Sequence, residues 1–159
     1  MTSPRFRYDS YCGLYCGACD TLLANERDEV NKLAIKWKRK LKELICHGCK
    51  SASHAIFCQK CNIRKCAVSK KVDFCYQCKD YPCKLIIHFR YDNSPHHSVV
   101  LKNLAIIKQI GVSKWLARQK VRWSCSKCRR KFSWYDKMCR KCGNKLYNCE
   151  DEEKELVGE

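Results

Sequence analysis

WSCSKCRRKFSWYDKMCRKCG, residues 123–143, carries four cysteines in the spacing Cys-x2-Cys-x10-Cys-x2-Cys, at Cys125, Cys128, Cys139 and Cys142. Each Cys-x2-Cys pair turns two sulfurs to one side of a tight knuckle. Two knuckles on facing hairpins can then place four thiolates about 2.3 Å from one zinc ion. Gly143, directly after the last ligand, supplies the backbone freedom that such a turn demands. Four thiolates close the coordination sphere and leave no position for water, so the expected metal is structural zinc in a C-terminal zinc ribbon. Iron in the same tetrahedron of sulfurs is the minor alternative.

Working back along the chain, eleven more cysteines lie between Cys12 and Cys83. Cys12, Cys16 and Cys19 sit in Y-C-G-L-Y-C-G-A-C-D, and Cys46 and Cys49 form a second small group. The remaining six fall in an internal repeat. F-C-Q-K-C-N-I-R-K-C (Cys58, Cys61, Cys66) matches F-C-Y-Q-C-K-D-Y-P-C (Cys75, Cys78, Cys83), and both read Cys-x2-Cys-x4-Cys. These units read as tandem metal loops that each need ligands from elsewhere. Residues 1–20 mix Arg5, Arg7, Asp9 and Cys12 with polar residues and hold no apolar signal core, so a cytoplasmic location with reduced thiols is expected. Reduced Cys-x-x-Cys pairs are read as metal ligands rather than disulfides. Three complete tetrahedral sites need twelve ligands, one more than these cysteines supply. Either a histidine helps, with His47, His54 and His88 as candidates, or only two sites form. The metal here is expected to be zinc or an iron–sulfur cluster.

Apolar periodicity sets the organisation between the cysteine groups. Val30, Leu33, Ala34, Trp37, Leu41, Leu44 and Ile45 recur at helical spacing and predict one amphipathic helix over about 26–45 with its stripe in the core. A helix of that length, near 30 Å, would hold Cys19 and Cys46 apart. Leu85 to Phe89 is a short apolar helix or strand. Ser94 and Pro95 open a helix that Gly111 ends, and a second helix follows over about 113–121. The expected fold is a small metal-stabilised α+β protein: a Cys-rich multi-metal module over 1–93, a helical spacer over 94–121, the zinc ribbon over 122–148 and an acidic tail over 149–159. The tail lacks apolar periodicity and is expected to be mobile, with Cys149 a spare thiol.

Four stretches together resemble a known family: C-G-L-Y-C-G-A-C at 12–19, C-N-I-R-K-C-A at 61–67, K-V-D-F-C-Y-Q-C-K-D-Y-P-C at 71–83, and S-W-Y-D-K-M-C-R-K-C-G at 133–143. They are similar to small cysteine-rich prokaryotic proteins catalogued as a domain of unknown function. The resemblance implies a small zinc-type or iron–sulfur fold of cytoplasmic origin and brings no activity with it. The spacing at 12–19 is also that of radical S-adenosylmethionine enzymes, but those surround their cluster with a large barrel that these short segments cannot build.

Charge carries the functional expectation. Thirty-three Lys and Arg face sixteen Asp and Glu, a formal +17, and six of those acids lie in the last ten residues. Thiolate-bound metal offsets part of this surplus, and the rest points to a polyanionic partner. Lys127, Arg129, Arg130, Lys131, Lys137, Arg140 and Lys141 crowd the ribbon with Tyr135 among them. Cations that neutralise phosphates and a ring that stacks on a base are the components of RNA recognition, so RNA or a ribonucleoprotein such as the ribosome is the expected partner. The competing readings are an iron–sulfur electron carrier or enzyme accessory and a protein adaptor. No Gly-rich phosphate loop, metalloprotease helix or nucleophile elbow is present, and no catalytic residue is assigned. No run is long enough to span a membrane.

Overall fold

The computed structural model describes residues 5–158, and these are mostly helical. The helices are α1 (Asp20–Glu26), α2 (Val30–Trp37), α3 (Ile56–Gln59), α4 (Asn62–Ser69), α5 (Lys84–Arg90), α6 (Val100–Ile110), α7 (Val112–Arg122) and α8 (Cys149–Val157). Among the described residues the β component of the expected α+β fold reduces to two isolated antiparallel bridges, Ser124 to Lys131 and Met138 to Lys145.

The core sits on α6 and α7. Val100, Leu104 and Ile107 follow one face of α6 and are almost wholly buried. Gly111, at φ +83°, breaks the helix and lets α7 fold back so that Trp115 is fully enclosed. The ring of Tyr15 meets Trp115 edge-on at 6.2 Å, and Trp123 meets Phe132 at 5.4 Å. One apolar cluster therefore runs from Cys12 and Tyr15 through α6 and α7 to Phe132, Leu146 and Cys149. The N-terminal segment threads into it at Gly13. This residue has φ +88°, its carbonyl accepts a hydrogen bond from Asn103 Nδ2 at 2.9 Å, and any Cβ there would press on Val100 and Leu104. Below this segment Lys50 and Asp9 form a buried ion pair at 2.9 Å, with the Lys50 ammonium 3.6 Å from the Phe74 ring centre. Burial alone would push the Asp9 carboxyl up; Lys50 and Arg7 outweigh it and hold the group below its usual range.

Two expectations are corrected. The helix over 26–45 is not continuous: α1 and α2 are separated at Asp28 and α2 ends at Lys38, both in left-handed backbone, and only a short 3-10 turn at Leu41–Glu43 follows. Its stripe is only partly core, since Ala34 and Leu44 are buried but Trp37 and Leu41 are 37 % and 42 % exposed. Helical periodicity records spacing without saying what the apolar face packs against, and five cations between Lys36 and Lys42 resist a close partner. The chain doubles back instead, tied by Asn25 Nδ2, which donates to Leu44 O at 2.8 Å.

The acidic tail is the second correction, because it forms α8. Asn148 caps it, accepting from the Glu150 and Asp151 amides, while Asp151 reaches back to the Asn148 amide at 3.1 Å. Acids in the first turn complement the helix dipole. Cys149, expected as a spare thiol, is 1 % exposed and part of the core. Replacing Trp115 by Ala should cost about 3–5 kcal/mol of stability by chemical denaturation. A loss below about 1 kcal/mol would show that α6 and α7 do not organise the core.

Candidate metal centre

The two Cys-x2-Cys turns near the C-terminus are built alike. Cys125 N donates to Arg130 O at 2.9 Å and Arg129 N to Cys125 O at 2.8 Å; Cys139 N donates to Asn144 O at 2.8 Å and Gly143 N to Cys139 O at 2.8 Å. The residue after the second cysteine is left-handed in both, Arg129 at φ +64° and Gly143 at φ +72°. In each, an antiparallel bridge links the residue before the first cysteine to the one six after it, closing the hairpin.

These knuckles face one another and gather Cys125, Cys128, Cys139 and Cys142, whose sulfurs all lie within 4.8 Å of one another. Cys125 Sγ is 3.6 Å from Cys142 Sγ and Cys128 Sγ is 3.5 Å from Cys139 Sγ. Four ligands about 2.3 Å from a central ion at tetrahedral angles stand about 3.8 Å apart, so the quartet has the dimensions to hold one metal ion. Backbone amides pre-set the charge: the Cys128 and Lys127 amides hold the Cys125 thiol down to about 6, and those of Cys142 and Lys141 lower Cys139.

The module is fastened to the rest of the chain by a few specific contacts. Trp134 N donates to Ala18 O at 3.0 Å and Cys149 N to Trp134 O at 2.9 Å, while Trp134 stacks on His96 at 4.3 Å. Arg27 Nη2 donates to Lys131 O at 2.7 Å, and Lys131 Nζ reaches Glu26 at 3.0 Å. Arg27 was not singled out by the sequence, because a lone arginine at a helix end carries no spacing signal.

The cationic residues of the module divide into two sets. Lys127, Arg129, Arg130 and Lys141 are exposed, and none takes part in a salt bridge among the described residues. Lys131 is paired with Glu26, Lys137 with Glu150 at 3.0 Å and Arg140 with Asp136 at 2.9 Å. Tyr135 is 39 % exposed, but its hydroxyl is engaged by His96 Nδ1 at 2.7 Å. Burial, then the neighbouring His97, pushes His96 down to about 3, so it stays neutral at this contact.

The eleven N-terminal cysteines are gathered less tightly. Among the described residues, no three of them bring their sulfurs within 4.8 Å of one another. The thiols nonetheless act on one another in groups that Cys12 links, since after burial it is Cys12, ahead of Cys83, Cys66 and Cys78, that raises Cys75. Burial and then the Cys46 thiol act to raise Cys19 to about 11; burial followed by Cys19, Cys49, Cys46 and Cys61 raises Cys58. Cys16 is raised by burial and then by Cys49, Cys19 and Cys58. Cys19 and Cys46 therefore lie close together, contrary to their expected separation by a long helix. Cys66, Cys75, Cys78 and Cys83 instead line a separate pocket with Ile63, Ala67 and Ile86. Of the candidate histidines, His47 packs edge-on against Phe6 at 5.2 Å, His88 is exposed, and His54 has a buried Nδ1 without a hydrogen-bond partner. No described helix is long and apolar enough to cross a membrane.

Residues 8–88, just over half of the chain, match the family described as "Protein of unknown function (DUF3795)". No curated protein and no solved structure matches the chain. The matched segment contains the eleven N-terminal cysteines and excludes the paired knuckles.

Changing Cys125 or Cys142 to Ser should release one bound metal ion per chain and unfold the C-terminal module, since metal binding supplies on the order of 10 kcal/mol in such sites. Metal content and melting profile that stay unchanged in both variants would show that these thiols are not ligands.

Proposed function

The chain belongs to this family of unknown function, and from its own surface we propose that it is a zinc-binding basic protein that docks on RNA or a ribonucleoprotein. The quartet of Cys125, Cys128, Cys139 and Cys142 is read as a zinc ribbon whose ion is structural. All four donors are thiolates, and a closed tetrahedral sphere leaves the ion no position for a substrate.

The observation that carries this reading is the unpaired set Lys127, Arg129, Arg130 and Lys141 on the outer side of the two knuckles. Four long cations held on turns that the metal would rigidify can meet successive phosphates with little ordering cost. Lys131, Lys137 and Arg140, expected in the same role, already answer Glu26, Glu150 and Asp136, and serve chiefly to brace the module. Tyr135 offers one exposed face while His96 fixes its hydroxyl, which suits a pre-positioned stacking ring. A second cationic stretch, Lys36 to Lys42, surrounds the exposed Trp37 and repeats the combination of charge and ring.

The affinity for total RNA or ribosomes should fall linearly in log–log form with salt, by about 0.7 per single-strand phosphate neutralised or about 0.9 on duplex. Combining Lys127→Glu, Arg130→Glu and Lys141→Glu with Arg129→Gly, which suits the left-handed backbone at that position, should weaken binding broadly while bound metal stays constant. Co-sedimentation no stronger than that of a neutral zinc ribbon at low salt would reject the proposal.

A further inference from the structure

The sequence repeat suggests two equivalent loops, Cys58–Cys61–Cys66 and Cys75–Cys78–Cys83, yet the fold does not use them equivalently. In the first unit, Cys58 stands with Cys19, Cys46 and Cys49 and Cys61 precedes the first turn of α4, whereas Cys66 lies one turn into α4, a helix whose buried face is Ile63 and Ala67. That face packs on α5 beside Ile86, 1 % exposed. α5 begins immediately after Cys83. The packing of α4 on α5 therefore carries Cys66 away from its own repeat and sets it opposite Cys83. The loop between the helices closes the circle, with Cys75 in a 3-10 turn and Cys78 at its end, where Cys78 N donates to Cys75 O at 3.1 Å. All four cysteines line one pocket whose other walls include Ile63, Ala67, Val72, Leu85 and Ile86.

The geometry points to a second metal site, formed by Cys66, Cys75, Cys78 and Cys83 and taking one thiophilic centre, either a zinc ion or an iron–sulfur cluster. Four cysteines and no acidic residue line the pocket, a donor set that selects soft metals, while the Asp80 carboxylate lies outside the lining, 3.8 Å from Cys78 Sγ. A disulfide reading would pair the thiols two by two, but all sixteen cysteines are free. The charge of a four-thiolate site has its counter-ion in place. Lys70, one turn beyond Cys66 on the same face, directs Nζ to Cys78 Sγ at 3.4 Å and is itself held by Asp80 at 2.7 Å. The donors are more widely spread than in the knuckle quartet, so either the loop tightens on one ion or the sulfurs cap a larger cluster. Each thiol gives up its proton on binding, with no change of oxidation state at sulfur. The site is independent of the RNA reading, which rests on exposed cations that do not line this pocket.

The full chain, purified anaerobically, tests this by metal analysis, visible spectrum and mass-spectrometric alkylation. The expected result is that Cys66, Cys75, Cys78 and Cys83 are protected from iodoacetamide together, and lose protection together when the metal is removed. Cys78→Ser and Cys83→Ser should each remove the same one centre while the ion at Cys125, Cys128, Cys139 and Cys142 remains; Ile107→Ala, a core change outside the pocket, should leave the metal count intact. A colourless protein in which the variants lose zinc identifies a single ion, and a brown one whose colour they abolish identifies the cluster. Free alkylation of these four thiols in the metal-loaded wild-type chain, or an unchanged metal count in both serine variants, would overturn the proposal.

Discussion

Between Trp123 and Leu146 the fold rests on two hydrogen-bonded knuckles and the four thiols they gather. The segment has two isolated bridges and three buried large side chains, Trp123, Phe132 and Leu146, too little to offset the entropy of ordering a stretch of this length. What it has in addition is four thiols at the spacing of a tetrahedron, with amides already turned towards two of them. Once closed, those knuckles position Trp134 against Ala18 and His96, and Lys131 against Glu26. Trp134 in turn receives the amide of Cys149 and so seats α8. The order of the last third, and part of the N-terminal wall, thus depends on the sulfur quartet.

The same arrangement explains how so basic a chain folds without scattering its own charges. Its acids are placed where the fold needs a brace: Asp9 under Lys50, Glu26 under Lys131, Asp136 against Arg140, Glu152 against Arg122 at 3.0 Å. The surplus cations face solvent on the knuckle turns, on the stretch after α2 and also along α6 and α7, where Lys102, Lys108, Lys114, Arg118 and Lys120 are exposed. Surface pairs of this kind contribute little individually, so their main consequence is to define which cations remain available. A turn that can close on a metal while carrying unpaired cations would present its charge rigidly, and this is why the proposed partner is a polyanion.

The parts legible in the sequence were those fixed by local chemistry. Cys-x2-Cys-x10-Cys-x2-Cys specified the quartet because each knuckle is a self-contained turn, and Gly111 and the apolar spacing of 100–107 marked α6, whereas Ser94 and Pro95, expected to open that helix, begin a separate 3-10 turn at Pro95–His97. The break in the expected helix over 26–45 is not legible, since left-handed Asp28 and Lys38 leave no strong signature, being neither Gly nor Asn. With the rod interrupted, the chain doubles back and Asn25 ties to Leu44, which brings the Cys46 end towards Cys19. The sorting of Cys66 away from Cys58 and Cys61 was also illegible, since it is decided by the packing of Ile63 and Ala67 on α5, a long-range contact. Acidity and missing apolar periodicity point to a mobile tail, whereas Asn148 and Asp151 form a capping pair that is legible by its spacing.

Dependence of the fold on thiolate-bound metal is most directly tested by amide hydrogen exchange on the full chain, reduced throughout, before and after metal is stripped by a strong chelator. Loss of protection across residues 123–149 on stripping, with recovery when zinc is returned, is the result this account predicts. A reduced, metal-free chain that keeps the same protection over those residues would contradict it.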